Sequence, residues 1–257
     1  MKPLFCSLLL LFAFSLSAQA PVAVPIPKEP HHHLVLENSY VRVFRVSIPA
    51  NDATLLHQHD VPYIYVALGP ADVINAVQGK PEARLVMDDG QVGYSRGGFA
   101  HIARTDAGSS FNNVTIELLH PQGEPHNLCE KIISGPLNDC PNSDVNKLSS
   151  DSPLRAPVRA IAMKRLFETN EIQLKSFSIA LRENYSESSP QPARLLIVED
   201  NSELQVDLPG EPSKSLRSGE VLWLDAGKKW TIITAGRKKR SRFLLLQFKA
   251  SATDARN

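Results

Sequence analysis

The chain has 257 residues, a formal net charge of +1, 42% hydrophobic residues and 21% charged ones. Those values suit a globular chain of one large or two ordinary domains. They exclude a strongly basic nucleic-acid binder, since the run Arg237-Lys238-Lys239-Arg240 is short and isolated and reads as the decoration of a hairpin or loop.

The first twenty residues, MKPLFCSLLLLFAFSLSAQA, carry an early Lys2, an apolar run from Leu8 to Leu16 and small residues at the end. This is the layout of a secretory signal peptide over residues 1–20, with cleavage after Ala18 or Ala20. The run is too short for a comfortable membrane span, and no other segment approaches the roughly 20 apolar residues such a span needs. The expectation is an exported, soluble product, periplasmic or extracellular, with no stable membrane anchor. Next comes a Pro-rich arm holding His31, His32 and His33, read as solvated.

From Leu34 the sequence runs strand after strand. VRVFRVSI (41–48), YIYVAL (63–68), NVTIELL (113–119), KSFSIAL (175–181), RLLIVE (194–199), VLWLD (221–225), WTIIT (230–234) and RFLLLQF (242–248) are short, rich in β-branched or aromatic residues and bounded by turn residues. In VRVFRVSI the apolar phase changes midway, from Val41 and Val43 to Val46 and Ile48. No window outside the leader has a convincing helical period. The pattern predicts an all-β sandwich or barrel.

Between His120 and Pro157 the pattern breaks into a segment rich in Pro, Asn, Ser and Asp. A connector that long suggests two domains, giving 21–120 and 157–250 around a connector at 121–156, with a tail at 251–257. With Cys6 in the leader, export would leave Cys129 and Cys140. In an oxidising compartment this pair reads as a disulfide pinning the connector, against the alternative of two free thiols.

The two halves are copies. At an offset of 131 residues Glu37 meets Glu168, Val43 meets Leu174, Val46 meets Phe177 and Ile48 meets Ile179. At an offset of 129, GQVGYSRGGFAHIART (90–105) meets GEVLWLDAGKKWTIIT (219–234), so Gly90 pairs with Gly219 and Gly98 with Gly227. In this alignment His57 faces Ser188, His59 faces Pro190 and His101 faces Trp230. Three histidines in one copy and none in the other point to a shared role. Residues i and i+2 of a strand face the same way, so His57 and His59 can converge on one ion. Glycines at 90 and 98 permit the tight turns that bring His101 opposite them. Neutral imidazoles suit iron, copper, nickel or zinc, and three of them leave positions open for water or substrate.

These residues resemble the cupin superfamily, whose first motif is G-x5-H-x-H-x(3,4)-E-x6-G and whose second is G-x5-P-x-G-x2-H-x3-N. The second appears as Gly90, Arg96, Gly98, His101 and Thr105, with Arg96 in place of Pro and Thr105 in place of Asn. The first appears as His57, His59 and Gly69; Asn51 replaces the opening Gly, and the glutamate falls at Pro62 or Tyr63. The resemblance implies two tandem cupin-type, jelly-roll-like β-barrels, with only the first equipped for a divalent transition metal (Fe, Cu, Ni, Mn or Zn). With the glutamate missing, a three-histidine centre is expected, as in the thiol dioxygenase and diketone-cleaving branches.

Asp60 or Tyr63 could add a ligand, although Asp60 should point away from the His57/His59 face. Glu117 either orients a histidine from behind or lies on the outer face. Arg96 could contact an anionic substrate or sit on the surface. The implied function is a metal-dependent, oxygenase-like enzyme acting on a small organic molecule. Its competitor is a non-catalytic barrel that holds a small ligand, in which the histidines are ordinary polar residues. Pairing of edge strands allows a homodimer, or is satisfied between the two barrels of one chain. Trp230 is expected to fill in the second barrel the space that a metal takes in the first.

Overall fold

In the computed structural model, residues 22–106, 108–137, 160–187, 191–199, 201–235 and 239–249 are described. The leader, Cys140 and most of the connector lie outside them, as does the Cys129–Cys140 pairing. The first half contains β1 (Val24–Pro25), a 3₁₀ turn at Ile26–Lys28, β2 (His32–Glu37), β3 (Val41–Ile48), β4 (His57–His59), β5 (Tyr63–Ala67), β6 (Ala71–Val77), β7 (Ala83–Met87), β8 (Val92–Ser95), β9 (Phe99–Thr105) and β10 (Phe111–Leu118). A short β11 (His126–Asn127) leads to the second half: β12 (Ile161–Glu168), β13 (Ile172–Ala180), β14 (Asn184–Ser186), β15 (Arg194–Val198), β16 (Glu203–Asp207), β17 (Lys214–Arg217), β18 (Val221–Leu224), β19 (Thr231–Thr234) and β20 (Arg240–Phe248).

Each half is a pair of sheets. In the first they run β1-β4-β9-β6-β7 and β2-β3-β10-β5-β8; in the second, β11-β12-β13-β20-β15-β18 and β14-β19-β16-β17. All described ladders are antiparallel except the short β1–β4 pair. This is the predicted pair of jelly-roll-like barrels.

The phase change in VRVFRVSI has a structural cause, because β3 is covered on both faces. Val41 and Val43 point into a core shared by the two halves, whereas Phe44, Val46 and Ile48 point into the first barrel. On β10 the even positions Val114, Ile116 and Leu118 join the shared core. Its odd positions Asn113, Thr115 and Glu117 are also buried and pair across the ladder with Val46, Phe44 and Arg42. The second half supplies Leu174, Ile197, Leu246 and Phe248 to the shared core, so the two barrels bury their outer faces against each other within one chain. Tyr40 of the first half stacks on Trp223 of the second.

The described part of the connector is built in and not free. β11 pairs with β12, and the Asn127 side chain accepts hydrogen bonds from the backbone N–H groups of Ile132 and Ile133. Leu128 and Ile132 are buried. Polar composition hid this, because a single asparagine satisfies the turn that lets two apolar side chains reach the core.

The ladders also correct the alignment at β4. Ser186 pairs with Thr231, so Glu187 stands across from Trp230 as His57 stands across from His101. The counterpart of His57 is therefore Glu187 and not Ser188, since β4 and β14 match with one residue fewer than the neighbouring strands.

Candidate metal centre

The short strand β4 holds His57 and His59 on its inner face with Gln58 exposed between them, the alternation the sequence predicts. β9 returns antiparallel and sets His101 directly opposite His57. The turn before β9 needs Gly97 and Gly98, both in the left-handed region (φ +68° and +77°). At Gly97 a Cβ would come within 2.2 Å of the Val61 carbonyl oxygen, so only glycine fits there. The His57 and His101 ring centroids lie 4.4 Å apart, and those of His59 and His101 lie 5.2 Å apart.

A fourth histidine joins them, and here the sequence expectation needs correction. His32, read as part of a solvated arm, is the first residue of β2 and is buried. Ligand atoms of His32, His57 and His59 all lie within 4.8 Å of one another. The duplication argument applied to this residue would have found it. The registers β2–β3 and β12–β13 place Met163 where His32 stands, so a fourth histidine also lacks a polar counterpart. The homopolymeric tract hid which of its three members turns inward. His33 is exposed, and His31 bonds Glu29 and Asp52.

Three of the four rings are fixed by a partner behind them. His57 Nδ1 donates to the Leu55 carbonyl at 2.9 Å, His101 Nδ1 to Asn75 Oδ1 at 2.6 Å, and His32 Nδ1 to Glu29 Oε2 at 2.5 Å. A ring that donates from Nδ1 carries its lone pair on Nε2. The Nε2 atoms of His57 and His101 are buried without a hydrogen-bond partner, as is Nδ1 of His59. An orphaned buried acceptor is costly, and an ion among these rings would satisfy several at once. The donor set fits a transition metal that takes imidazole ligands.

Protonation agrees with that fit. Burial pushes His57 down to about 4, His101 to about 3 and His59 to about 2, and the neighbouring histidines add to the shift, so all three rings are neutral near pH 7. Glu29 is 1% exposed, and burial alone would raise it. Hydrogen bonds from His32 and His31 outweigh that and hold it at about 2, as a fixed negative charge behind the site.

The remaining predicted residues separate cleanly. Tyr63 is buried and stacks on His59, centroids 4.1 Å apart; burial raises its phenol to about 12. Glu117 faces inward from β10 and is fully buried, with Oε1 3.8 Å from His59 Nδ1 and Oε2 2.9 Å from the Arg42 guanidinium. It stands behind His59, directly across the ladder from Tyr63. Asp60 is exposed and accepts a bond from Gln58, so it is not a ligand here. Arg96 does not line the cavity; it is exposed and paired with Glu124 at 2.8 Å. The strand alternation that sends Gln58 outward does the same for Asp60, and the turn before β9 leaves Arg96 at the surface.

The four rings open onto a cavity of about 260 Å³ between the two sheets of the first barrel. At the matching place in the second barrel no histidine is present, and Glu187 and Trp230 border an opening shared with Asp207 and Lys229. Arg194, the counterpart of Tyr63, is 1% exposed, pairs with Glu187 at 2.6 Å and lies over the Trp230 ring at 5.5 Å. Trp230 is buried in the core of the second barrel. What the sequence did not reveal is that a buried ion pair accompanies it.

The architecture is shared with solved proteins of very different sequence. A cupin 2 conserved barrel domain protein from Leptotrichia buccalis matches 85% of this chain and 88% of its own, with TM-score 0.50 and 12% identity. The chain folds as a bicupin. Salicylate 1,2-dioxygenase from Pseudaminobacter salicylatoxidans matches at TM-score 0.52 and 10% identity, over 81% of this chain and 71% of its own. Vicilin from Solanum melongena matches at 0.51 and 12%, over 88% and 85%. No family model matches the sequence, and no curated protein matches it. At these identities the likeness concerns the bicupin fold alone, and the chemistry has to be argued from this chain's own residues.

Proposed function

We propose that this bicupin is an exported, metal-dependent enzyme of oxygenase type that acts on a small organic molecule in its first barrel. The observation that carries the reading is the pair of buried, unpartnered Nε2 atoms on His57 and His101, each aimed by a separate partner on Nδ1. His32 and His59 bring ligand atoms within 4.8 Å of those of His57, and the His101 ring stands beside His57 and His59. When bound, a divalent transition metal supplies Lewis-acid or redox chemistry at a substrate atom. The protein's part is to orient the rings through Glu29, Leu55 and Asn75, to keep His57, His59 and His101 neutral by burial, and to give the substrate a cavity walled largely by apolar side chains. Tyr63 keeps its proton at neutral pH, with its ring stacked on His59 and its hydroxyl bonded to the Ser95 side chain. The fold-level likeness to a dioxygenase supports this reaction type as an analogy.

One feature favours a second reading, a ligand-binding barrel without turnover: no Asp or Glu lines the cavity as a general base. Metal analysis of mature protein made without a His-tag, beside the His57→Ala/His101→Ala double variant, tests the metal centre. Near-stoichiometric metal in the parent and none in the variant is the expected result. A folded parent that takes up no added ion would refute it. Export, with Cys129 and Cys140 paired, is part of the proposal. N-terminal sequencing of secreted material should begin at Gln19 or Pro21, and retention of the intact leader would count against it.

A further inference from the structure

The cavity of the first barrel presents no charged side chain of its own, because Glu117 and Glu29 stand behind the histidines and not in its wall. None of the residues lining it is Lys, Arg, Asp or Glu. A histidine that ligates a metal is neutral as well. The arginines on the strands around the cavity are engaged elsewhere: Arg42 with buried Glu117, Arg84 with Asp72 and Arg104 with Glu82. Arg84 and Arg104 make these ion pairs on the outer face, where Arg84 alternates with the lining residue Leu85. Away from the histidines the walls are apolar and buried, with Ile48, Val73, Met87 and Phe111 among them. Polar contact there is neutral. The Thr115 hydroxyl donates to Asn113 Oδ1 at 2.8 Å, which leaves the Asn113 amide N–H groups as donors.

We infer that the site takes a compact molecule that binds through a single metal-binding head and carries an apolar or aromatic body with no second charge. This rests on the metal reading above and narrows it. Size sets the first limit. A cavity near 150 Å³ accommodates benzene, so about 260 Å³ suits one ring with a small substituent. Charge sets the second. Any cation in the site sits at the histidine end, so an anionic or cationic group elsewhere on the ligand would be buried without a partner, and that costs far more than burying a neutral polar group. Dicarboxylates and other molecules with a charged group far from the metal-binding head are excluded on this ground, whereas an uncharged phenol, enol or amide is not.

The test uses two isosteric probes that share a catechol head and differ only in charge at the far end, 3,4-dihydroxybenzamide and 3,4-dihydroxybenzoate. Mature protein is loaded with zinc, which is redox-inert, its zinc content is measured, and each probe is titrated calorimetrically without oxygen. The benzamide should bind more tightly by about 30-fold or more. Leu85→Arg, at a half-buried position on the edge strand β7, should supply the missing cation and close most of that gap by strengthening benzoate binding. Zinc-loaded protein that binds both probes equally, prefers the benzoate or binds neither would overturn the ligand class and leave the metal centre standing. Failure to take up zinc or any other metal would remove both.

Discussion

Replacing Glu29 by Gln removes one charge from behind the metal centre while keeping the side chain's shape. In the fold Glu29 accepts from His32 Nδ1 at 2.5 Å, from the His31 backbone N–H at 2.9 Å, from His31 Nδ1 at 3.0 Å and from the Leu55 backbone N–H at 3.2 Å. A glutamine presents one accepting oxygen and one NH2, so its NH2 meets donors it cannot bond. Two effects follow. Each buried donor left unmet costs about 1 to 3 kcal/mol, and His32 loses the carboxylate that fixes its tautomer. Loss of such a partner typically lowers metal affinity by about 10- to 100-fold, or about 1.4 to 2.7 kcal/mol. Competition against a chelator of known affinity measures the second effect, and denaturant unfolding of metal-free protein measures the first. Weaker metal binding in a still-folded Glu29→Gln protein is the expected outcome. Unchanged metal affinity alongside lowered stability would show that the Glu29–His32 pair serves only to anchor the arm, and would remove His32 from the donor set.

Acidification should destabilise the metal-free protein. His57, His59 and His101 titrate well below the 6.5 of an exposed histidine, so the unfolded chain binds protons that the fold refuses. Stability is then intact above about pH 6.5 and falls as the pH drops toward the folded values, by about 1.4 kcal/mol per histidine at pH 5.5. Unfolding curves at pH 7 and 5.5 should show it, and an undiminished slope in His57→Ala/His101→Ala would assign the loss to other groups. Trp230→Ala should cost about 3 to 5 kcal/mol through the cavity it leaves and the cover it removes from the Glu187–Arg194 pair, with metal content unchanged; metal loss from a folded variant would contradict the division of labour between barrels. Gly97→Ala combines a left-handed backbone with a clash against the Val61 carbonyl and should cost about 2 to 4 kcal/mol. A wild-type melting temperature would show that the turn relaxes.

The sequence by itself determined the fold class, the duplication and the heart of the site. Short strands bounded by turn residues, two copies at nearly constant spacing, and an H-x-H pair with a distant third histidine are local or periodic signals, and periodicity reports which face a side chain occupies. Glu117 was legible for the same reason, as a charged residue inside an apolar strand, and Tyr63 from the cupin motif, where it falls at the place of the missing glutamate. Tertiary structure alone decided three matters. Pairing between β2 and β3 turns His32 inward, and its sequence neighbours, also histidines, give no hint of that. The packing of the two barrels sets which face of β3 and β10 meets which core, a fact that reached the sequence only as an unexplained change of phase. Finally, the shortened match at β4 puts Glu187, and not Ser188, in the place of His57, where it pairs with Arg194 over Trp230. A one-residue slip on a strand exchanges inside for outside, and only the hydrogen-bonded ladder records which register is real.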